Sequence, residues 1–149
     1  MSFNLNIEKY KQIFPNYPPV GMLQEGCIYE FASLSKNASA CKILVPSEYG
    51  LGCIGNIWGA FTNTTNCHWY EENSVRCFEG EELVPRVTIC DAASENLPDE
   101  CWHRIAFKKK DTEFCSEITN PTLQSVCVVR INTWNQYPEV RSTIYFSMP

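Results

Sequence analysis

Apolar residues along the chain recur at helical rather than strand spacing. One position beyond successive cysteines stand Ile28, Ile54, Phe78, Trp102 and Val128, and four positions beyond stand Phe31, Ile57, Ile105 and Ile131. Such offsets trace one stripe on a helix. Between these cysteines lies a second set, followed three residues later by Leu44, Tyr70, Ala93 and Ile118. Asn37, Asn63 and Asp111 each stand four residues ahead of a cysteine of this second set. Asn and Asp cap helices because their side chains accept the free N–H groups of the first turn. Pro46, Pro98 and Pro121 then mark turns or new helix starts.

The pattern predicts an all-α fold: tandem disulfide-stapled helical hairpins forming a short α-solenoid with an irregular C-terminal tail. A single domain spans 1–149. It is divided into an incomplete first hairpin (1–36), units at 37–61, 62–83, 84–110 and 111–132, and a tail at 133–149. Glu79-Gly80-Glu81-Glu82 interrupts the stripe, so that unit is expected to be irregular. In the tail, Thr143-Ile144-Tyr145-Phe146-Ser147 reads as a short strand or an extended cover.

The cysteines supply the ruler. Nine occur, separated by 14, 12, 14, 10, 13, 11, 14 and 12 residues. Long and short intervals alternate, as stacked units of 24 to 26 residues would require. In an antiparallel hairpin, residues equally far from the bend face each other. This favours bridges Cys41–Cys53, Cys67–Cys77, Cys90–Cys101 and Cys115–Cys127. The alternative register, 27–41, 53–67, 77–90 and 101–115, crosses the bends asymmetrically. Each short loop closed by a bridge stabilises by about 2–3 kcal/mol. Cys27 is left over, as a buried free thiol, as one half of an intermolecular bridge, or as a cysteine whose partner lies outside this sequence. Phe14 lies near where its partner would be expected.

The segments Asn37-Ala-Ser-Ala-Cys41, Gly52-Cys53-Ile54 and Asp111-Thr-Glu-Phe-Cys115-Ser-Glu-Ile118 carry a resemblance. Over about 27–131 the chain resembles the cysteine-bearing helical hairpins of certain secreted repeat proteins, mostly archaeal or environmental. The resemblance implies a secreted or surface helical array and carries over no catalytic residue.

Composition narrows the functions. The net charge of −5 argues against nucleic acid as a partner, and Lys108-Lys109-Lys110 reads as cations at a helix C-terminus. The cysteine density points to an oxidising compartment, hence a secreted or cell-surface protein. Neither an export signal nor a membrane-spanning stretch is visible, which suggests a mature chain whose signal has been removed. No Cys-x-x-Cys, Gly-x-Ser-x-Gly or phosphate loop occurs. His68 and His103 lie beside cysteines and keep a metal-binding or redox alternative open, but neither metal nor cofactor is expected. Glu71-Glu72 and Asp99-Glu100 read as solvated helix starts rather than catalytic pairs. Asn37-Ala-Ser39 and Asn63-Thr-Thr65 match the N-glycosylation acceptor pattern. Trp134 and Tyr137 are the aromatics most expected at an exposed interface. The expected function is non-enzymatic: a structural or protein-binding module, able to self-assemble into a filament or surface layer. A secreted inhibitor or effector of another protein is the alternative.

Overall fold

A computed structural model describes residues 20–64, 66–78, 86–143 and 146. Among these residues are four α-helices, α1 (Val20–Ser35), α2 (Glu48–Thr64), α3 (Asp99–Lys109) and α4 (Pro121–Gln136). Three 3₁₀ turns accompany them: η1 (Ala38–Ile43), η2 (Thr112–Glu117) and η3 (Pro138–Val140). Strands β1 (Cys67–Glu71), β2 (Ser74–Cys77) and β3 (Arg86–Ile89) lie between α2 and α3.

One local device occurs twice, at an offset of 74 residues. α1 ends on Lys36 and α3 on Lys110, with left-handed φ of 55° and 54°. The next amide reaches back to close the helix: Asn37 N donates to Ala32 O at 3.0 Å, and Asp111 N donates to Ala106 O at 3.1 Å. Asn37 and Asp111 then cap η1 and η2, each side-chain Oδ1 accepting at 2.9 Å from the backbone N–H two residues on. Cys41 of η1 bonds to Cys53 of α2, and Cys115 of η2 to Cys127 of α4, with Cα atoms 5.7 and 5.8 Å apart.

These units pack around α4, which touches α2, α3, η1 and η2. α4 buries Leu123, Val126, Val129, Arg130 and Ile131, positions that surround much of its circumference. Ile28 and Ala32 of α1, Leu51, Ile54, Ile57 and Phe61 of α2, and Phe107 of α3 complete the core. The loop entering α2 passes so close that only a glycine fits at Gly50.

The sheet is antiparallel throughout, in the order β1-β2-β3. Cys67 stands opposite Cys77 and Arg76 opposite Val87, with a bulge between Trp69 and Glu71. Its inner face, Val75 and Cys77, meets Cys101 of α3, with Trp69, Cys67, Cys90 and Leu97 around them.

This architecture corrects the all-α solenoid. Residues 67–71 and 74–77 of the expected unit 62–83 and 86–89 of the unit 84–110 form the sheet rather than stacked hairpins, while the second helix expected in 84–110 is present as α3. Asn63 lies in the last turn of α2 rather than capping a new helix. Alternating burial explains the strand: from Cys67 to Tyr70 the side chains are half-buried, exposed, half-buried, exposed. In units 37–61 and 111–132 the first element is a 3₁₀ turn, not an α-helix. In the tail, Pro138–Val140 is a 3₁₀ turn and Phe146 is buried against Phe107 and Trp134. Phe14 falls outside the described residues, as do Ile144, Tyr145 and Ser147 of the expected strand or cover.

Candidate interaction surface

The outward face of the sheet carries an unusual set of side chains for a solvent-facing surface. His68, Arg76 and Val87 form one cross-strand row through the pairs His68–Arg76 and Arg76–Val87. Tyr70, Phe78 and Ile89 flank it. Four of the seven exposed large hydrophobic residues among those described are here: Tyr70, Phe78, Val87 and Ile89, the last 57 % exposed. The Arg76 guanidinium lies 5.4 Å from the Tyr70 ring centroid and 5.9 Å from that of Phe78. A cation held over aromatic rings inside an apolar patch is the composition that anchors protein interfaces. β1 and β3 are the edges of the described sheet, so their outer backbone groups border the same face.

Behind this face lies a buried polar cluster that fixes the sheet to the helices. Trp69 projects inward from β1. Its ring is 5.3 Å from those of Trp58 on α2 and His103 on α3. Arg104 and Arg130 approach the same ring at 5.1 and 5.4 Å. Arg104 Nε also donates to the carbonyl of Glu72, at the bend between β1 and β2, while Lys108 pairs with the Glu72 carboxylate at 3.4 Å. Arg130 is 4 % exposed and faces Phe107, Trp58 and Phe146 besides Trp69. Cation–π contacts of about 0.5–2 kcal/mol each offset part of its desolvation cost.

Glu100, His103 and Arg104 share the inner side of α3 through i, i+3 and i, i+4 spacing. Both Glu100 carboxylate oxygens are buried without a hydrogen-bond partner among the described residues. Burial lifts the pKa of this group to about 8; the Arg130 charge opposes the shift and Asp99 adds to it. His103 is held well below the usual imidazole range by burial and by Arg130. Arg130 Nη1 lies 3.2 Å from His103 Nε2. A guanidinium can only donate, so Nε2 accepts and the neutral ring carries its proton on Nδ1. The cluster thus sets a carboxyl that burial keeps protonated and a neutral imidazole beside two buried guanidiniums, Arg104 and Arg130. It positions Trp69, and with it β1.

The remaining candidates are distributed around the molecule. The structure joins Cys41–Cys53, Cys67–Cys77, Cys90–Cys101 and Cys115–Cys127. Cys27 is an exposed free thiol, not a buried one. It occupies the position in α1 that Cys101 occupies in α3. Asn37 is exposed at its cap. Trp134 and Tyr137 are half-buried against the core rather than free: Trp134 packs on Phe107 at 5.4 Å and under Lys110 at 4.1 Å. His68 is exposed on the sheet while His103 is buried, so the two histidines do not form one site. No group of three metal-ligating side chains converges among the described residues. Arg76, Val87 and Ile89 carry no individual signal as surface anchors in the sequence, although Arg86-Val-Thr-Ile89 has the β-branched signature of a strand. Glu100, expected with Asp99 as a solvated helix start, is buried. Glu71-Glu72 lie at the bend between β1 and β2 rather than at a helix start. Arg130 had no sequence signal, because only packing buries it.

No family model matches the chain, and no curated protein or solved structure matches it. The four bridges fit an oxidising, extracellular environment. Among the described residues no helix is long and apolar enough to cross a membrane.

Proposed function

We propose that the chain is a non-enzymatic extracytoplasmic protein-binding module that engages its partner with the outer face of the β1-β2-β3 sheet. The supporting observation is the exposed patch of Tyr70, Phe78, Val87 and Ile89 gathered around Arg76. The buried cluster beneath it holds the face rigid, which lowers the ordering cost of binding. A partner that fits presents apolar side chains around a carboxylate.

The test compares the wild-type protein with a Val87→Glu, Ile89→Glu double variant, using cross-linked capture from the extracellular fluid of the source. Both substitutions are at exposed positions, so the melting temperature should stay within about 2 °C. The wild type should retain a partner at fixed stoichiometry and the variant should lose it about tenfold or more. Equal capture by both proteins would refute the sheet face as the binding surface.

Self-association is a second reading, favoured by the exposed Cys27 thiol. A disulfide-linked dimer on a non-reducing gel that vanishes in Cys27→Ser would support it.

A further inference from the structure

We propose that Asn37 is an N-glycosylation acceptor whose glycan covers the apolar groove between α1 and η1. The proposal rests on the extracytoplasmic reading above. Asn37-Ala38-Ser39 has the acceptor sequence, and the repeated capping device supplies an internal comparison. At position 37 the cap uses only Oδ1, which accepts from Ser39 N at 2.9 Å. At the equivalent place Asp111 performs the same task, accepting from Glu113 N at 2.9 Å. Asp caps as well as Asn. The amide of Asn37 and the hydroxyl of Ser39 are therefore surplus to the cap, and the copy without them, Asp111-Thr112-Glu113, forms the same turn.

The surroundings admit a sugar. Asn37 is exposed, and it borders a groove of about 360 Å³ shared with Phe31, Ser39 and Ile43. Phe31 is 44 % and Ile43 60 % exposed, so the apolar face of the first sugar has an aromatic and an aliphatic surface to rest on. A glycan attached before folding would remain outside the core without disturbing the Cys41–Cys53 bridge. In the transfer, Asn37 Nδ2 bonds to the anomeric carbon of an oligosaccharide carried on a lipid pyrophosphate. The carbon–oxygen bond to phosphate breaks, the lipid pyrophosphate leaves with the electron pair, and the amide proton passes to the transferase's base.

The experiment is export of the full chain from a eukaryotic cell line, followed by intact mass, enzymatic deglycosylation and peptide mapping. Wild-type protein should carry one glycan at Asn37. Asn37→Asp and Ser39→Ala should each lose it while melting within about 2 °C of the deglycosylated wild type, since both keep the cap. An exported, fully oxidised chain with unmodified Asn37 would overturn this proposal alone. A chain retained in the cell with reduced thiols would overturn the extracytoplasmic reading and this proposal with it.

Discussion

Glu100 and His103 lie one turn apart on the buried side of α3 and respond to pH in opposite senses. Folded Glu100 keeps its proton up to about pH 8, against 4.5 when free. Its contribution to stability is full below pH 4.5 and fades as pH rises towards 8. His103 stays neutral below its ordinary value of 6.5, so its contribution is present above 6.5 and is lost as pH falls. Below 6.5, where folded His103 stays neutral, the two slopes oppose each other. The expected profile flattens there, with a decline above 6.5 and another at lower pH. From pH 6.5 to 8 the linkage of one proton amounts to about 2 kcal/mol. Glu100→Gln should abolish the alkaline decline and leave the acid one, as read from melting temperatures between pH 4 and 9. A variant profile parallel to the wild type would refute the assignment. Backbone space decides a second pair of residues. A Cβ on Gly50 would lie 2.4 Å from backbone atoms of Leu44 and Val45, whereas one on Gly59 meets nothing within 4 Å. Gly50→Ala should cost about 1–3 kcal/mol, and Gly59→Ala should stabilise by about 0.5–1 kcal/mol through helix propensity. Urea denaturation of the two variants checks the opposite signs.

At the scale of elements, the two capped 3₁₀ turns and the sheet obey different rules. Each turn is specified by neighbours: Asn37 or Asp111 for its cap, and a cysteine that finds its partner 12 residues on. These were legible in the sequence, as were the short-interval thiol pairs. The hairpin was not, because its interval of 10 residues looks like one more member of the same ruler. A stapled helical turn and a β-hairpin both bring such cysteines together, so spacing alone does not distinguish them. The alternation in Cys67-His68-Trp69-Tyr70 was the discriminating signal, masked by aromatics that also suit a helix face. Beside the covalent Cys90–Cys101 link, Trp69 attaches the sheet to the helices through Trp58, His103, Arg104 and Arg130. Trp69→Ala should therefore speed hydrogen exchange in β1, β2 and β3 by about tenfold or more while leaving α4 protected. Uniform acceleration through sheet and helices would show instead that the two layers open together.

For the whole molecule, covalent closure and packing share the work. The bridges close loops of 10 to 12 residues, and each constrains one short segment rather than the chain as a whole. What unites the segments is α4, which is buried on most sides, and the Ser125 hydroxyl on it, which accepts from Ala38 N of η1 at 2.7 Å. Native protein should have a mass about eight hydrogens below the fully reduced chain and should react with one equivalent of thiol reagent, at Cys27, without denaturant. Two or more reactive thiols would contradict the bonding. By itself the sequence determined the caps at Asn37 and Asp111, the positions of the thiol pairs and the oxidising environment that they fit, because each depends on residue types within about a dozen positions. Only tertiary structure decided that 67–71, 74–77 and 86–89 pair as strands, that Arg130 is caged, and that Arg76 stands among exposed apolar neighbours. Those outcomes depend on which distant surfaces come together to exclude water; the local strand signals at 67–70 and 86–89 do not specify that choice.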